Sequence, residues 1–143
     1  MHGSRLRNIL LLFSFLFFLC TSLYSQQWVA THNENQLDDR SFGIVTDRAG
    51  NIYVTGYVTR PATGEDIFVI KYNSSKVEQW KRYYDGPGHS SDKAFGIVVD
   101  ASNNVIVTGY STGVGSQADF TTIKFNSAGT QQWVQRYNAP VNG

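Results

Sequence analysis

The 143-residue sequence has one cysteine, three prolines and little charge. Charged residues make up 16%, and 12 Lys+Arg against 11 Asp+Glu leave a formal charge of +1. Such a balance excludes a strongly basic nucleic-acid binder and a long acidic tail. Long apolar runs are missing too. The stretch from Ile9 to Cys20, broken only by Ser14, falls short of the roughly 20 residues needed to cross hydrocarbon. Nucleotide fingerprints and phosphate loops are absent: Gly113-Val114-Gly115 lies between expected strands, not before a helix. What the sequence does have is aromatics, at 14%, and 13 glycines. Charged disordered chains are poor in aromatics, so the composition is that of a folded chain. The length is that of about one domain.

The N-terminus reads as an address. Arg5 and Arg7 precede the apolar run, and Thr21-Ser22-Leu23-Tyr24-Ser25 follows it. A basic head, an apolar core of about 7–15 residues and a small residue before the cut make a secretory signal peptide. Residues 1–25 are therefore expected to be removed, with Ser25 as the last; the alternative is an uncleaved anchor. Phe18-Leu19 stand before Cys20, where lipid-modified cysteines of bacterial lipoproteins have small residues, so Cys20 reads as an ordinary apolar residue. Removal takes away Arg5, Arg7 and the cysteine, leaving 12 − 2 = 10 basic against 11 acidic residues, net −1. The expected mature chain is exported, either secreted or held at the outer cell surface. It meets a membrane only through the signal segment, and relies on packing rather than disulfides.

The remainder is a repeat. Shifted by 53 residues, Phe42-Gly43-Ile44-Val45 falls on Phe95-Gly96-Ile97-Val98 and Val54-Thr55-Gly56-Tyr57 on Val107-Thr108-Gly109-Tyr110. Asp47 falls on Asp100, Asn51 on Asn104, Asp66 on Asp119 and Gln79-Trp80 on Gln132-Trp133. From Asp39 to Trp80, 19 of 42 aligned positions are identical, without gaps. Gln27-Trp28 is the tail of an earlier unit, 52 residues before Gln79-Trp80. The expected organisation is a lone outer strand in 26–38, a unit at 39–84, a linker at 85–91, a unit at 92–137 and the start of a further repeat at 138–143.

Inside each unit the apolar pattern has period two or forms short runs, as strands require. Strands are expected near 41–46, 51–59, 66–72 and 77–84, and again near 94–99, 104–112, 119–125 and 130–137. Turns at 47–51, 73–76, 100–103 and 126–129 are rich in Asp, Asn, Ser and Gly, residues that tolerate turn geometry. Asn73-Ser74-Ser75 fits a glycosylation pattern but reads as a turn. Four short strands per roughly 40–50 residues, with repeated aromatic and Gly signatures, is the pattern of a propeller blade. The fold class is therefore all-β, with two four-stranded antiparallel blades and one extra strand in an incomplete propeller. The first strand of a blade lies nearest the axis, where space is tight, which accounts for Gly43 and Gly96.

The series Asp, Phe-Gly-Ile-Val, Asp, Asn, Val-Thr-Gly, Asp, Ile-Lys and Gln-Trp resembles the SBBP β-propeller repeat. The resemblance spans nearly all of residues 27–143. It implies a propeller, often seven-bladed, of the kind found in secreted and surface proteins of bacteria, and no shared activity. Lys76 departs from it by standing where the second unit has the turn glycine Gly129.

Two blades do not close a ring, since propellers have about 4–8. The expectation is a piece of a longer propeller. A truncated gene product, or two-blade subunits that self-associate through open blade faces into a lectin-like ring, are the alternatives.

No cofactor, metal or catalytic residue is expected. His32 and His89 show no ligand spacing, and zinc needs three or four converging ligands. His89-Ser90-Ser91-Asp92 has hydrolase residue types but adjacent in a linker, unlike a triad. The recurring carboxylates, Asp39, Asp47 and Asp66 with Asp92, Asp100 and Asp119, suggest calcium, but read better as acceptors for turn and strand-end N–H groups. Trp28, Trp80 and Trp133 read as packing between blades. Tyr57, Tyr110 and the loops 60–65 and 113–118 are the candidates for a ligand rim. The function expected is non-catalytic binding or scaffolding of a protein or a glycan, not of nucleic acid. A lyase or hydrolase built into a complete propeller is the rival.

Overall fold

The structure, a computed structural model, describes residues 29, 31, 37–115 and 117–138. The signal segment, Trp28, His32, the terminal 139–143 and most of the expected lone strand at 26–38 lie outside them, and the described residues 29, 31, 37 and 38 are not in a strand. Among the described residues, eight strands form two sheets, each a simple antiparallel meander. Blade 1 contains β1 (Arg40–Thr46), β2 (Ile52–Arg60), β3 (Gly64–Tyr72) and β4 (Glu78–Tyr84). Blade 2 contains β5 (Asp92–Val99), β6 (Val105–Thr112), β7 (Ala118–Phe125) and β8 (Gln131–Tyr137). The all-β class and the two four-stranded blades are as the sequence predicts. The sheets do not close on themselves.

The turns come from side chains that offer the backbone ready-made partners. Asp47 Oδ1 accepts the N–H groups of Ala49 and Asn51, both at 2.9 Å, and Asp47 Oδ2 accepts the Asn51 side-chain amide at 2.7 Å. Asp100 repeats this with Ser102, Asn104 and the Asn104 amide at 2.9, 2.9 and 2.8 Å. The reading of these two aspartates as turn acceptors therefore holds. Asn73 and Asn126 do the same at the third turn, accepting from Val77 and Thr130 at 2.9 Å. Lys76 keeps the turn that Gly129 makes: its φ is 67° against 78°. The substitution changes the residue and not the backbone.

A bulge between Ser41 and Gly43 in β1 recurs between Ala94 and Gly96 in β5. Opposite it, a Cβ on Gly56 or Gly109 would lie 1.9 Å from the carbonyl oxygen of Arg40 or Lys93. No side chain fits there, so the repeated Val-Thr-Gly has a backbone cause. Gly43 sits where β1 of blade 1 meets β5 of blade 2. A Cβ there would be 3.0 Å from an Ile97 methyl.

The core lies between the blades. Tyr53, Ile67, Val69 and Trp80 of blade 1 pack on Ala94, Val105, Val107, Ile123 and Phe125 of blade 2. Each strand alternates faces, so a second cluster, Val58, Phe68 and Ile70, lies on the opposite face of blade 1. Trp80 is the anchor of the interface. It is 9% exposed, its ring centroid lies 6.1 Å from Tyr53 and 6.5 Å from Phe125, and its Nε1–H donates to Ser127 O at 3.1 Å. Trp133, one repeat on, is 39% exposed on the far side of blade 2. Phe120 and Tyr137 near it are exposed as well. One signature position thus has two environments, and packing between blades is observed for Trp80.

Candidate functional site

Function on a repeated scaffold collects in loops and at junctions, and here the polar chemistry gathers where blade 1 hands over to blade 2. The connection 85–91 and the β2–β3 turn bring Glu65 and Asp66 beside Asp85, Ser91, Asp92 and Lys93.

One part of the junction is an ion-paired network. Lys93 Nζ lies 2.7 Å from Glu65 Oε1, and Ser91 Oγ donates to Glu65 Oε2 at 2.5 Å. Burial works to raise the Glu65 pKa, but the bonds from Lys93 and Ser91 outweigh it and hold it below the usual range. The Lys93 ammonium also stands 4.4 Å from the centre of the Tyr57 ring, an electrostatic attraction to the ring face.

The two rim tyrosines land inside this junction. Tyr57 is 3% exposed, and its hydroxyl donates to Asp38 Oδ2 at 2.9 Å. The expected rim role of Tyr57 is corrected here: the inter-blade contact covers its ring, and burial together with Asp38 raises its pKa. Tyr110 is half-buried, with its hydroxyl 3.0 Å from Ser91 Oγ. The two rings instead end an aromatic row, Tyr57–Phe42–Phe95–Tyr110, with centroid spacings of 5.9, 5.2 and 5.8 Å. Phe42 and Phe95 stay about half exposed on β1 and β5. They are the flat apolar surface that sequence reasoning missed, although both stand in the repeated Phe-Gly-Ile-Val. The loop expected at 60–65 tightens to three residues between Arg60 and Gly64, and the loop at 113–118 ends at Ala118, where β7 begins.

The second part of the junction is acidic. Asp66, Asp85 and Asp92 each place a carboxylate oxygen within 4.8 Å of the others. Asp92 accepts the N–H groups of Gly86 and Thr112 at 2.6 and 3.0 Å, as expected of a strand-end acceptor. Asp66 Oδ2 accepts from Thr63 at 2.7 Å and meets Arg60 at 3.4 Å. Burial, reinforced by the charge of Asp85, raises the Asp66 pKa. Asp119, its counterpart, is met by Arg136 at 2.8 Å. Asp85 belongs to no repeated pair, since Asn138 stands one repeat on, and repeat logic passed over it.

His89 Nδ1 contacts Asp85 Oδ2 at 2.6 Å, while the Ser91 hydroxyl bonds to Glu65 and Tyr110. Among the described residues the Ser91 hydroxyl thus has a carboxylate and a phenol as its partners. The signature glycines Gly43, Gly56, Gly96 and Gly109 serve the backbone, and Asp47 and Asp100 serve turns.

No curated protein matches the chain. Residues 35–57, which hold β1 and the start of β2, match the family described as Beta-propeller repeat, SBBP. Residues 35–57 thus carry an SBBP β-propeller repeat, and blade 2 repeats their plan 53 residues on.

Proposed function

We propose that this protein is an exported, non-catalytic binding or scaffolding module whose blade 2 receives a further blade of the same repeat type. One observation carries the reading. The outward residues Phe120, Thr122, Trp133 and Tyr137 are the repeat counterparts of Ile67, Val69, Trp80 and Tyr84, the face that blade 1 packs against blade 2. The same positions, Trp included, are thus prepared for the same kind of contact. Blade 2 presents them at 74% exposure for Phe120 and 62% for Tyr137, an apolar face of the sort that marks an interaction site.

The half-exposed Phe42 and Phe95 line the strands nearest the propeller axis. They offer a protein or a glycan a stacking surface once further blades enclose it. The basic head and short apolar core of residues 1–25 support export.

The test is the solution mass of the purified chain, by light scattering after gel filtration. A folded, β-rich trimer or tetramer means that copies of the chain supply the missing blades to one another. A folded monomer with face residues protected from solvent exchange refutes the open face. A glycan array, read with the chain and with Phe42→Ala, then separates glycan from protein partners. Turnover of a polysaccharide would overturn the non-catalytic reading.

A further inference from the structure

Three buried oxygens at the blade junction have no partner among the described residues: Asp66 Oδ1, Asp85 Oδ1 and Ser111 Oγ. Asp66 and Ser111 are 0% exposed. Buried polar atoms are almost always satisfied, so three orphans in one place call for a ligand. They do share one place. Asp66 and Asp85 converge with Asp92 within 4.8 Å. Ser111 is the register partner of Asp92. A Cβ on Gly86 would lie 2.0 Å from Ser111 Oγ and 2.6 Å from Asp92 Oδ1, so both oxygens lie against the same Gly86 backbone.

The charges do not balance there. Among the described residues the three carboxylates meet one guanidinium, Arg60, at 3.4 Å from Asp66 with its side chain 42% exposed, while that of Arg136 reaches the Ser111 carbonyl at 3.1 Å. The His89 ring holds only the other oxygen of Asp85. The sister position in blade 2 shows what balance looks like: Arg136 reaches Asp119 at 2.8 Å. In blade 1 the counterpart of Arg136 is Tyr83, which brings no charge. Uncompensated buried carboxylates are costly, and a bound cation removes that cost.

We infer that Asp66, Asp85, Asp92 and Ser111 form a calcium site that ties blade 1 to blade 2. The donors are all oxygen, the preference of a hard cation, and calcium takes mixed carboxylate and neutral oxygens in a flexible geometry where magnesium demands a near-ideal octahedron. Water completes the six to eight ligands that calcium takes. Asp66 and Asp85 come from β3 and the end of blade 1, Asp92 and Ser111 from β5 and β6. The ion therefore bridges the interface. The site stands on the chain's own oxygens and is independent of whether further blades join.

The test uses the full chain stripped with a chelator, then titrated with calcium or magnesium chloride. One calcium should bind per chain, followed by terbium luminescence and competition, with a Kd of about 10⁻⁴–10⁻³ M, the range of extracellular modules. In about 10 mM calcium the Tm should rise by about 5–10 °C, and magnesium at the same concentration should do less than half as much. Asp85→Asn should weaken calcium binding at least tenfold and abolish the Tm rise. That variant is expected to fold, because Asn138 occupies the same repeat position in blade 2. Should it fail to fold, Ser111→Ala gives a second reading, with weakened binding and a smaller Tm rise. A Tm indifferent to calcium overturns the assignment, as does binding that survives both substitutions.

Discussion

Trp80→Ala and Trp133→Ala remove the same side chain from the same repeat position and should have unequal costs. Trp80 is 9% exposed and Trp133 39%. For an aromatic side chain of about 250 Å², that difference is about 75 Å² of surface, or about 2 kcal/mol at ~25 cal/mol per Å². Trp80→Ala also leaves a cavity against Tyr53 and Phe125 and loses the indole hydrogen bond to Ser127 O, which keeps Lys71 Nζ at 3.5 Å. The expected losses are ~3–5 kcal/mol for Trp80→Ala and ~1–2 kcal/mol for Trp133→Ala. Urea unfolding of the dilute chain, followed by tryptophan fluorescence and far-UV circular dichroism, reads the gap as a midpoint difference of roughly 1–2 M. Trp80→Phe keeps most of the packing and loses the indole N–H, so it should cost ~1–2 kcal/mol. Equal losses at the two tryptophans would refute the argument, because both faces would then be covered alike. A larger loss at Trp133 would reverse the assignment of the buried face.

Further outcomes follow from turns and charge. Gly129→Ala should cost ~2–4 kcal/mol, because the new Cβ would stand 2.7 Å from the Trp80 ring at a φ of 78°; Gly50→Ala, with the same φ but only Ser74 at 3.5 Å, should cost ~1–2 kcal/mol. Both are read by chemical unfolding, and equal costs would remove Trp80 from the account. Lys76→Gly should raise stability by ~0.5–1 kcal/mol, since Lys76 holds a φ of 67° that glycine adopts freely, and a loss would show that its side chain matters more than its backbone. The Asp100 pKa is pulled down to about 2, chiefly by the side chain and then the backbone N–H of Asn104. Its folded value lies below the ordinary ~3.9, so its contribution is present at neutral pH and is lost as pH falls from about 4 through 2. Asp100→Asn should lower stability at pH 7 and flatten that acid limb, measured as urea midpoints from pH 2 to 7.

Much of the fold is legible in the sequence because its causes are local. Asp47 with Asn51, and Asp100 with Asn104, write their turns into five residues, and alternation writes the strands between them. The two-unit plan follows from the 53-residue match. What is not legible arises between blades. Trp80 and Trp133 share one signature, yet their burial depends on whether a neighbour stacks on that face, and no local pattern records this. Tyr57 reads as a rim residue until β5 and Lys93 close over it. The acidic junction is assembled from three separate segments. Its informative member, Asp85, breaks the repeat rather than following it, so a search for recurrence looks past it. Lys76 shows the converse: a residue that breaks the signature while the backbone beneath it does not change.

The contact between blades is head to tail. One blade's Tyr53–Trp80 face meets a different face of the next, the one bearing Val107 and Ile123. A surface that mates with something unlike itself has no two-fold way to finish, as a self-complementary patch does. Each added blade presents again the face that received it. Growth of this kind stops only when rotation brings the last blade back to the first, and otherwise continues as a filament. In the proposed assembly, the step angle set by residues such as Gly43, where β1 and β5 approach, would govern whether growth ends as a ring. Blade 2's exposed face would supply only the next step. A substitution on β1 or β5 would then turn a closed particle into a fibre without touching the residues that make the contact stick.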